Sequence, residues 1–79
     1  VQDRAGFVWI GTQDGLNRFD GSEFRLYRRE QGRGDSLPGD LVQALALDPQ
    51  GVLWVGTSGG LARYREDLDR FEPVPIEGE

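Results

Sequence analysis

The stretch VWIGTQDGLNRFDG, residues 8–21, recurs 45 positions later as LWVGTSGGLARYRE, residues 53–66. When the sequence is slid by 45 positions, eight of the sixteen residues from Asp3 to Arg18 are identical to their partners. The identical pairs are Asp3/Asp48, Gly6/Gly51, Trp9/Trp54, Gly11/Gly56, Thr12/Thr57, Gly15/Gly60, Leu16/Leu61 and Arg18/Arg63. Such self-similarity predicts two copies of one structural unit in a chain of 79 residues.

Turn residues divide each copy into short strands. The tetrapeptides DRAG (3–6) and DPQG (48–51) predict type I turns closed by glycine. The segments that follow, FVWIGT and VLWVGT, are β-branched and aromatic and are too short for helices. Next come dipeptides favoured in two-residue hairpin turns, where both residues have positive φ: Asp14-Gly15 and Gly59-Gly60.

A complete unit is therefore predicted to contain four antiparallel strands, at roughly 41–48, 52–58, 60–65 and 70–75. The first copy keeps only VQD of its opening strand, and its Asp20-Gly21 turn leads into a strand at EFRLYR. Four-stranded meanders that repeat about every 45 residues are typical of β-propeller blades. We predict an all-β chain of slightly less than two blades: a partial blade at 1–30, an interblade loop at 31–40 and a complete blade at 41–79.

Each blade of a propeller covers the apolar faces of its neighbours, and propellers typically have about four to eight blades. The expected partners are therefore further blades of a longer chain or other copies of this one. A break in the first unit in mid-strand favours the longer chain.

Composition excludes several classes of site. The sequence contains no cysteine, histidine or lysine, so disulfides, the usual zinc ligands and the commonest general base are absent. We expect no cofactor, no metal and no catalytic residue. The net charge of −5 disfavours nucleic acid as a partner, and no apolar run approaches the length of a membrane-spanning helix, so no membrane contact by this segment is expected.

The repeated motifs resemble those of the two-component regulator propeller repeat. That pattern has an Asp-x-x-Gly turn, then Leu/Val-Trp-Ile/Val-Gly-Thr, then Gly-Leu-x-Arg-Tyr/Phe, and it matches both copies. The segment SLPGDLVQALALD (36–48) is similar to the lead-in of that family's blades. In the first copy Asn17 and Asp20 also fit the Asn-Arg-Phe-Asp ending of that pattern, whereas Ala62 and Arg65 depart from it, so the turn capping that Asp20 supplies is not expected in the second copy.

The resemblance implies a periplasmic or extracellular propeller that acts as the input domain of a bacterial hybrid sensor kinase or related signalling protein. It also implies a small-molecule or carbohydrate-derived ligand, bound without catalysis. Two alternatives stay open: a lyase-like propeller enzyme whose catalytic blades are absent from this chain, and a scaffold for protein contacts.

Propellers usually bind ligands at a mouth of the channel, where the loops between the second and third strands meet the interblade loops. In this chain the expected hydrogen-bonding residues at that mouth are Gln13, Asp14, Ser58 and Asp40.

The repeated tryptophans and arginines, the RGD tripeptide and the acidic turn are all expected to have structural rather than binding roles. Trp9 and Trp54 are predicted to pack between blades, and Arg18 and Arg63 to pair with an aspartate of their own or a neighbouring turn. The RGD tripeptide at 33–35 is expected to be a chance occurrence, and the acids of 66–69 to form a solvated turn without the ligand spacing of a calcium loop.

Overall fold

The computed structural model of the protein describes residues 1–75, and these residues form seven β-strands and no helix. The strands are β1 (Val8–Thr12), β2 (Gly15–Phe19), β3 (Phe24–Tyr27), β4 (Val42–Leu47), β5 (Leu53–Thr57), β6 (Gly60–Arg65) and β7 (Arg70–Val74). The predicted all-β class is confirmed. Residues 76–79, the end of the predicted second blade, lie outside the described residues, and within 1–75 there is no helix that could cross a membrane.

The strands form two antiparallel meanders, each consistent with a propeller blade. Sheet 1 has the order β1-β2-β3, and sheet 2 has the order β4-β5-β6-β7. Both sheets use the same register, because Trp9 lies opposite Arg18 and Trp54 lies opposite Arg63. A remnant of an opening strand accompanies sheet 1, where the amide of Trp9 donates to the carbonyl of Val1 at 2.7 Å.

The Asp-x-x-Gly turns form as predicted. The amide of Gly6 donates to the Asp3 carbonyl at 3.1 Å, and that of Gly51 donates to the Asp48 carbonyl at 2.8 Å. Both glycines have positive φ, which only glycine adopts at little steric cost. Each aspartate also accepts a hydrogen bond from the indole of its own blade's tryptophan, at 2.7 Å in sheet 1 and 2.9 Å in sheet 2. Each tryptophan is thereby tied to the turn that precedes its strand.

The hairpin turns differ from the prediction. Only the second residue of each dipeptide, Gly15 or Gly60, has positive φ, so the expectation is wrong for Asp14 and Gly59. The reason is a threonine that closes the turn instead. Thr12 accepts from the Asp14 amide at 3.0 Å and donates to the Gly15 carbonyl at 2.8 Å, and the equivalent bonds recur around Thr57 at 3.1 and 2.9 Å.

The core lies between the two sheets and combines aromatic with aliphatic side chains. Trp9 of sheet 1 is 1% exposed and meets Tyr64 of sheet 2 at a centroid distance of 4.9 Å. The other buried apolar residues are Leu16, Tyr27, Leu37, Leu53, Val55, Ala62 and Phe71. The predicted packing of Trp9 between blades is confirmed, whereas Trp54 lies on the far face of sheet 2 and is only half-buried.

Residues 28–41 join the two sheets and contain no strand, as predicted for 31–40. They are not, however, a purely solvated loop. Leu37 is buried in the core, and the Ser36 hydroxyl accepts from the Glu30 amide at 3.0 Å. A Cβ on Gly59 would lie 2.2 Å from the carbonyl oxygen of Pro38, so the β5–β6 turn and this segment touch backbone to backbone. The segment therefore anchors one end of both blades.

Candidate functional site

The predicted ligand-binding residues lie where the β1–β2 turn and the β5–β6 turn meet segment 36–41. We call this end of the two sheets the loop face. Gln13 and Asp14 are exposed at the tip of the first turn, and Ser58 is exposed at the tip of the second. Asp40 is exposed on the segment between them.

Backbone hydrogen bonds hold the parts of the loop face together. The amide of Gly15 donates to the Asp40 carbonyl at 2.7 Å, and the amide of Ser58 donates to the Leu41 carbonyl at 3.0 Å. Asp14 and Ser58 therefore flank the same short stretch of backbone. The structure brings both of them together with Asp40, while Gln13 stands beside Asp14 at the turn tip.

The carboxylates of the loop face already have partners. Asp14 forms an ion pair with Arg28, and both side chains are well exposed. One carboxylate oxygen of Asp40 accepts from the Arg29 amide at 2.7 Å. A ligand that bound here would therefore use the remaining carboxylate oxygens and the Ser58 hydroxyl. None of the four predicted residues lines the large cleft at the opposite end of the sheets or the smaller one beside β7, so their role in binding stays a prediction.

The larger cleft, of about 820 Å³, lies at the opposite end of the sheets. It is bounded by the turns at 3–6, 48–51 and 66–69, and we call it the turn cleft. Charges of both signs line it, from Arg4, Arg18, Arg63, Arg65, Asp3, Glu66, Asp67 and Asp69. It holds no set of three or more acidic or histidine groups placed to bind a metal, nor does any other part of residues 1–75.

Asp69 organises the floor of this cleft. Its Oδ1 accepts from the hydroxyl of Tyr27 at 2.6 Å and from that of Tyr64 at 2.7 Å. Its Oδ2 lies 2.9 Å from the guanidinium of Arg25, and Arg18 lies 3.8 Å from Oδ1. Since Tyr27, Arg25 and Arg18 belong to sheet 1, this one carboxylate links the two blades.

The cluster shifts the ionisation of its members. Burial alone would raise the pKa of Asp69, but the hydrogen bonds from both tyrosines and the charges of Arg25 and Arg18 outweigh it, and the pKa is lowered below 3.8. Burial and the hydrogen bond to Asp69 raise the pKa of Tyr64 to about 12, and they raise that of Tyr27 further. The carboxylate is therefore ionised and both phenols are neutral near pH 7.

The sequence did not predict this role, because residues 66–69 were expected to form a solvated turn. That assignment is wrong for Asp69, which has a positive φ of 53° and a side chain only one-third exposed. The available signal was the replacement of the tight Asp20-Gly21 turn by a longer, acidic turn in the second copy. The sequence could not supply the partners of Asp69, because three of them, Tyr27, Arg25 and Arg18, lie more than 40 residues away.

The two repeated arginines have different partners. Arg18 contacts Asp69 of the neighbouring blade's turn, as predicted, and its guanidinium lies 4.5 Å from the ring centre of Phe7. Arg63 instead pairs with Glu72 on the adjacent strand of its own sheet. The residue of sheet 1 that corresponds to Glu72 is Arg25, which lies opposite Arg18, so the two blades carry opposite charges at this strand position.

The RGD tripeptide is engaged within the fold. Arg33 pairs with Asp35 at 3.0 Å, and Asp35 also lies 3.8 Å from Arg70 of β7. The carbonyl of Asp35 accepts from the amide of Phe71 at 3.1 Å. These contacts give the tripeptide a structural role beside the outer strand of sheet 2.

Comparison with known proteins finds a likeness over part of the chain. The family model described as two component regulator propeller matches residues 36–59, from the buried Ser36-Leu37 pair to the β5–β6 turn. Residues 36–59 are therefore similar to a two component regulator propeller repeat. The resemblance seen in the sequence is thus confirmed over this segment.

A relative supports the same assignment. A histidine kinase of Formosa agariphila is 59% identical to this chain over 27 residues. That alignment covers 34% of this chain and 2% of the kinase. The likeness therefore concerns a short segment, and this chain spans only a small part of the kinase's length.

Proposed function

We propose that this chain forms two adjacent blades in the propeller input domain of a two-component or related signalling protein. The observation that carries the proposal is the match of residues 36–59 to the two component regulator propeller repeat. Similarity to part of a histidine kinase supports it, because histidine kinases are signalling proteins. We also propose that the domain lies in the periplasm or outside the cell, as the resemblance of its repeated motifs to this family implies.

We further propose that the domain binds a small, hydroxyl-rich ligand at the loop face without catalysis. Asp14 and Asp40 offer carboxylate oxygens and Ser58 offers a hydroxyl, and all three side chains are exposed. These groups suit the hydroxyls of a carbohydrate-derived molecule, which need acceptors and donors at close spacing. The backbone links between the two turns and segment 36–41 would fix that spacing.

The test is a paired substitution at the loop face in the protein that carries these blades. Asp14→Asn combined with Ser58→Ala is expected to weaken the response of the output domain to its ligand by about tenfold or more, because each lost charged or neutral hydrogen bond contributes about 1 kcal/mol or more. The measurement is a transcriptional reporter or kinase autophosphorylation against ligand concentration.

Ser22→Ala combined with Asp67→Asn provides the matched control, because both residues are exposed turn positions at the other end of the sheets. The control variant is expected to respond normally. An unchanged response in the loop-face variant would refute ligand binding at this site. A reading frame with further propeller repeats but no kinase or cyclase output would refute the signalling role instead.

A further inference from the structure

The turn cleft is large enough for a small molecule and lies between the two blades. Its volume of about 820 Å³ falls within the range of small-molecule sites, about 300–1,000 Å³. Both repeats contribute to its walls, with Phe7 and Arg18 from the first and Val52 and Tyr64 from the second. Because the loop face lies at the other end of the sheets, a ligand in the turn cleft would be distinct from the one proposed there.

Arg18 is a cation that its surroundings neutralise only in part. A guanidinium has five N–H donors, yet within residues 1–75 Arg18 makes one long hydrogen bond, from Nη1 to the Tyr64 hydroxyl at 3.3 Å. The nearest carboxylate, that of Asp69, is 3.8 Å away and already pairs with Arg25 at 2.9 Å. Nε of Arg18 is buried and has no partner in the same part of the chain. Arg18 therefore has donors to spare.

Aromatic rings fix the position of this guanidinium. Its central carbon lies 4.5 Å from the ring centre of Phe7 and 5.8 Å from that of Trp9. These rings displace water but offer no lone pair to the N–H groups, and they weaken the screening of the positive charge. The Arg18 side chain stays 19% exposed, so an anion in the cleft can reach it.

Arg4 supplies a second positive charge at the edge of the cleft. Its Nη2 donates to the Pro49 carbonyl at 2.7 Å, so the side chain extends from the 3–6 turn to the 48–51 turn. It fits there because Gly51 has no side chain, and a Cβ at that position would lie 2.8 Å from Nε of Arg4. Arg4 forms no ion pair with any other residue of 1–75, so its charge is available to a ligand.

Most acids of the cleft are already engaged. Asp3 accepts at 3.0 and 2.7 Å from donors of its own blade, and Asp67 pairs with Arg65 at 3.0 Å. Of the acids that line the cleft, Glu66 alone has no polar partner within 1–75, and it is exposed. The groups left over in the cleft are therefore mainly cationic donors, which favours an anionic ligand.

We propose that the turn cleft binds a small aromatic carboxylate, with the carboxylate group between Arg4 and Arg18. Each guanidinium donates to a carboxylate oxygen in a charge-assisted hydrogen bond. Phe7, Val52 and Tyr64 provide apolar surface for the ring. Because the net charge of the chain is −5, attraction comes from these two local donors and not from the overall field of the protein. The inference depends neither on the signalling role nor on the loop face.

The test measures the binding of benzoate to the complete protein that carries these blades, by saturation-transfer NMR at low salt. Benzyl alcohol, which has the ring without the charge, is the comparison probe and is expected to bind at least about tenfold more weakly. Arg4→Gln is expected to weaken benzoate binding about tenfold, because one charge-assisted hydrogen bond is lost. The exposed Arg4 side chain lies outside the core, so this variant keeps the fold.

Arg29→Gln is the matched control. It removes the same charge from an exposed side chain beside the loop face, and it is expected to leave benzoate affinity unchanged. Glu66→Gln is expected to strengthen benzoate binding about twofold or more, because it removes a like charge from the wall of the cleft. The loop-face variant Asp14→Asn with Ser58→Ala is expected to bind benzoate normally, so failure of one site is distinguishable from failure of the other.

The proposal would be overturned by a complete protein that does not bind benzoate, or that binds benzyl alcohol equally well. Wild-type benzoate affinity in Arg4→Gln, weaker binding in Glu66→Gln, or loss of binding in Arg29→Gln or in the loop-face variant would also contradict it.

Discussion

Asp69→Asn tests whether one carboxylate holds the two blades together. The substitution keeps the size of the side chain, and asparagine tolerates the positive φ at this position better than most residues. It removes the negative charge that accepts from Tyr27, Tyr64 and Arg25 at 2.6, 2.7 and 2.9 Å. The backbone and the apolar core are left unchanged.

The expected loss in the free energy of unfolding is about 1.5–3 kcal/mol near pH 7. A hydrogen bond to a charged group contributes about 1.5–3 kcal/mol, and roughly half of that is lost when a neutral acceptor replaces the ion. Each of the two tyrosine hydroxyls loses this amount, so the two losses together come to about 1.5–3 kcal/mol. The Arg25 pair adds little, about 0–1 kcal/mol, because the arginine side chain is more than half exposed.

Urea unfolding followed by tryptophan fluorescence measures this loss, since the buried Trp9 lies in the core between the two sheets. With a slope of about 1 kcal/mol per molar urea for a small domain, the midpoint is expected to fall by about 1 M or more. Asp67→Asn is the control, because the Asp67–Arg65 pair is exposed and does not link the two sheets. Its effect on the urea midpoint is expected to be small.

The effect has a defined pH dependence. The pKa of Asp69 is lowered in the folded protein, so its stabilisation is complete above 3.8 and is lost as the pH falls through the folded-state pKa. The gap between wild type and Asp69→Asn is therefore expected to narrow below pH 3.8. Equal stability of the two proteins at pH 7, or a gap that is unchanged in acid, would refute the role assigned to Asp69.

Two further pairs of variants test the packing between the two sheets and the backbone contact at the loop face. Trp9→Ala is expected to cost about 3–5 kcal/mol of unfolding free energy, and Trp54→Ala clearly less, because Trp54 is only half-buried; equal losses in thermal or urea unfolding would contradict the packing. Gly59→Ala is expected to lower the melting temperature, since its Cβ would meet the Pro38 carbonyl at 2.2 Å, whereas Gly34→Ala, with open space, is expected to leave it almost unchanged; a tolerated Gly59→Ala in calorimetry would show that the two loops separate easily.

Much of the fold could be predicted because its signals are local. The Asp-x-x-Gly turns at Gly6 and Gly51 formed as the sequence indicated, because an aspartate and a glycine three residues apart satisfy the turn's own bonds. The hairpin turns show where local rules compete. Asp14-Gly15 matched a familiar dipeptide, yet Thr12 closed the turn through its hydroxyl and removed the need for a second positive φ.

The candidate site was predictable only in part. The sequence placed Asp14 and Ser58 at equivalent turns, and the structure brings both beside Asp40. It gave no sign that Leu37 would be buried, because a single leucine in a polar, glycine-rich stretch has no periodic pattern around it.

The sequence alone determined the two repeats, their short strands and the residues that cap their turns, since each of these depends on neighbours within a few positions. Tertiary structure alone decided that Trp9 is covered while Trp54 is not, and that Arg18 reaches Asp69 while Arg63 turns to Glu72. Identical motifs acquired different surroundings because each sheet has two faces, and the stacking of one sheet on the other buries only one face of each.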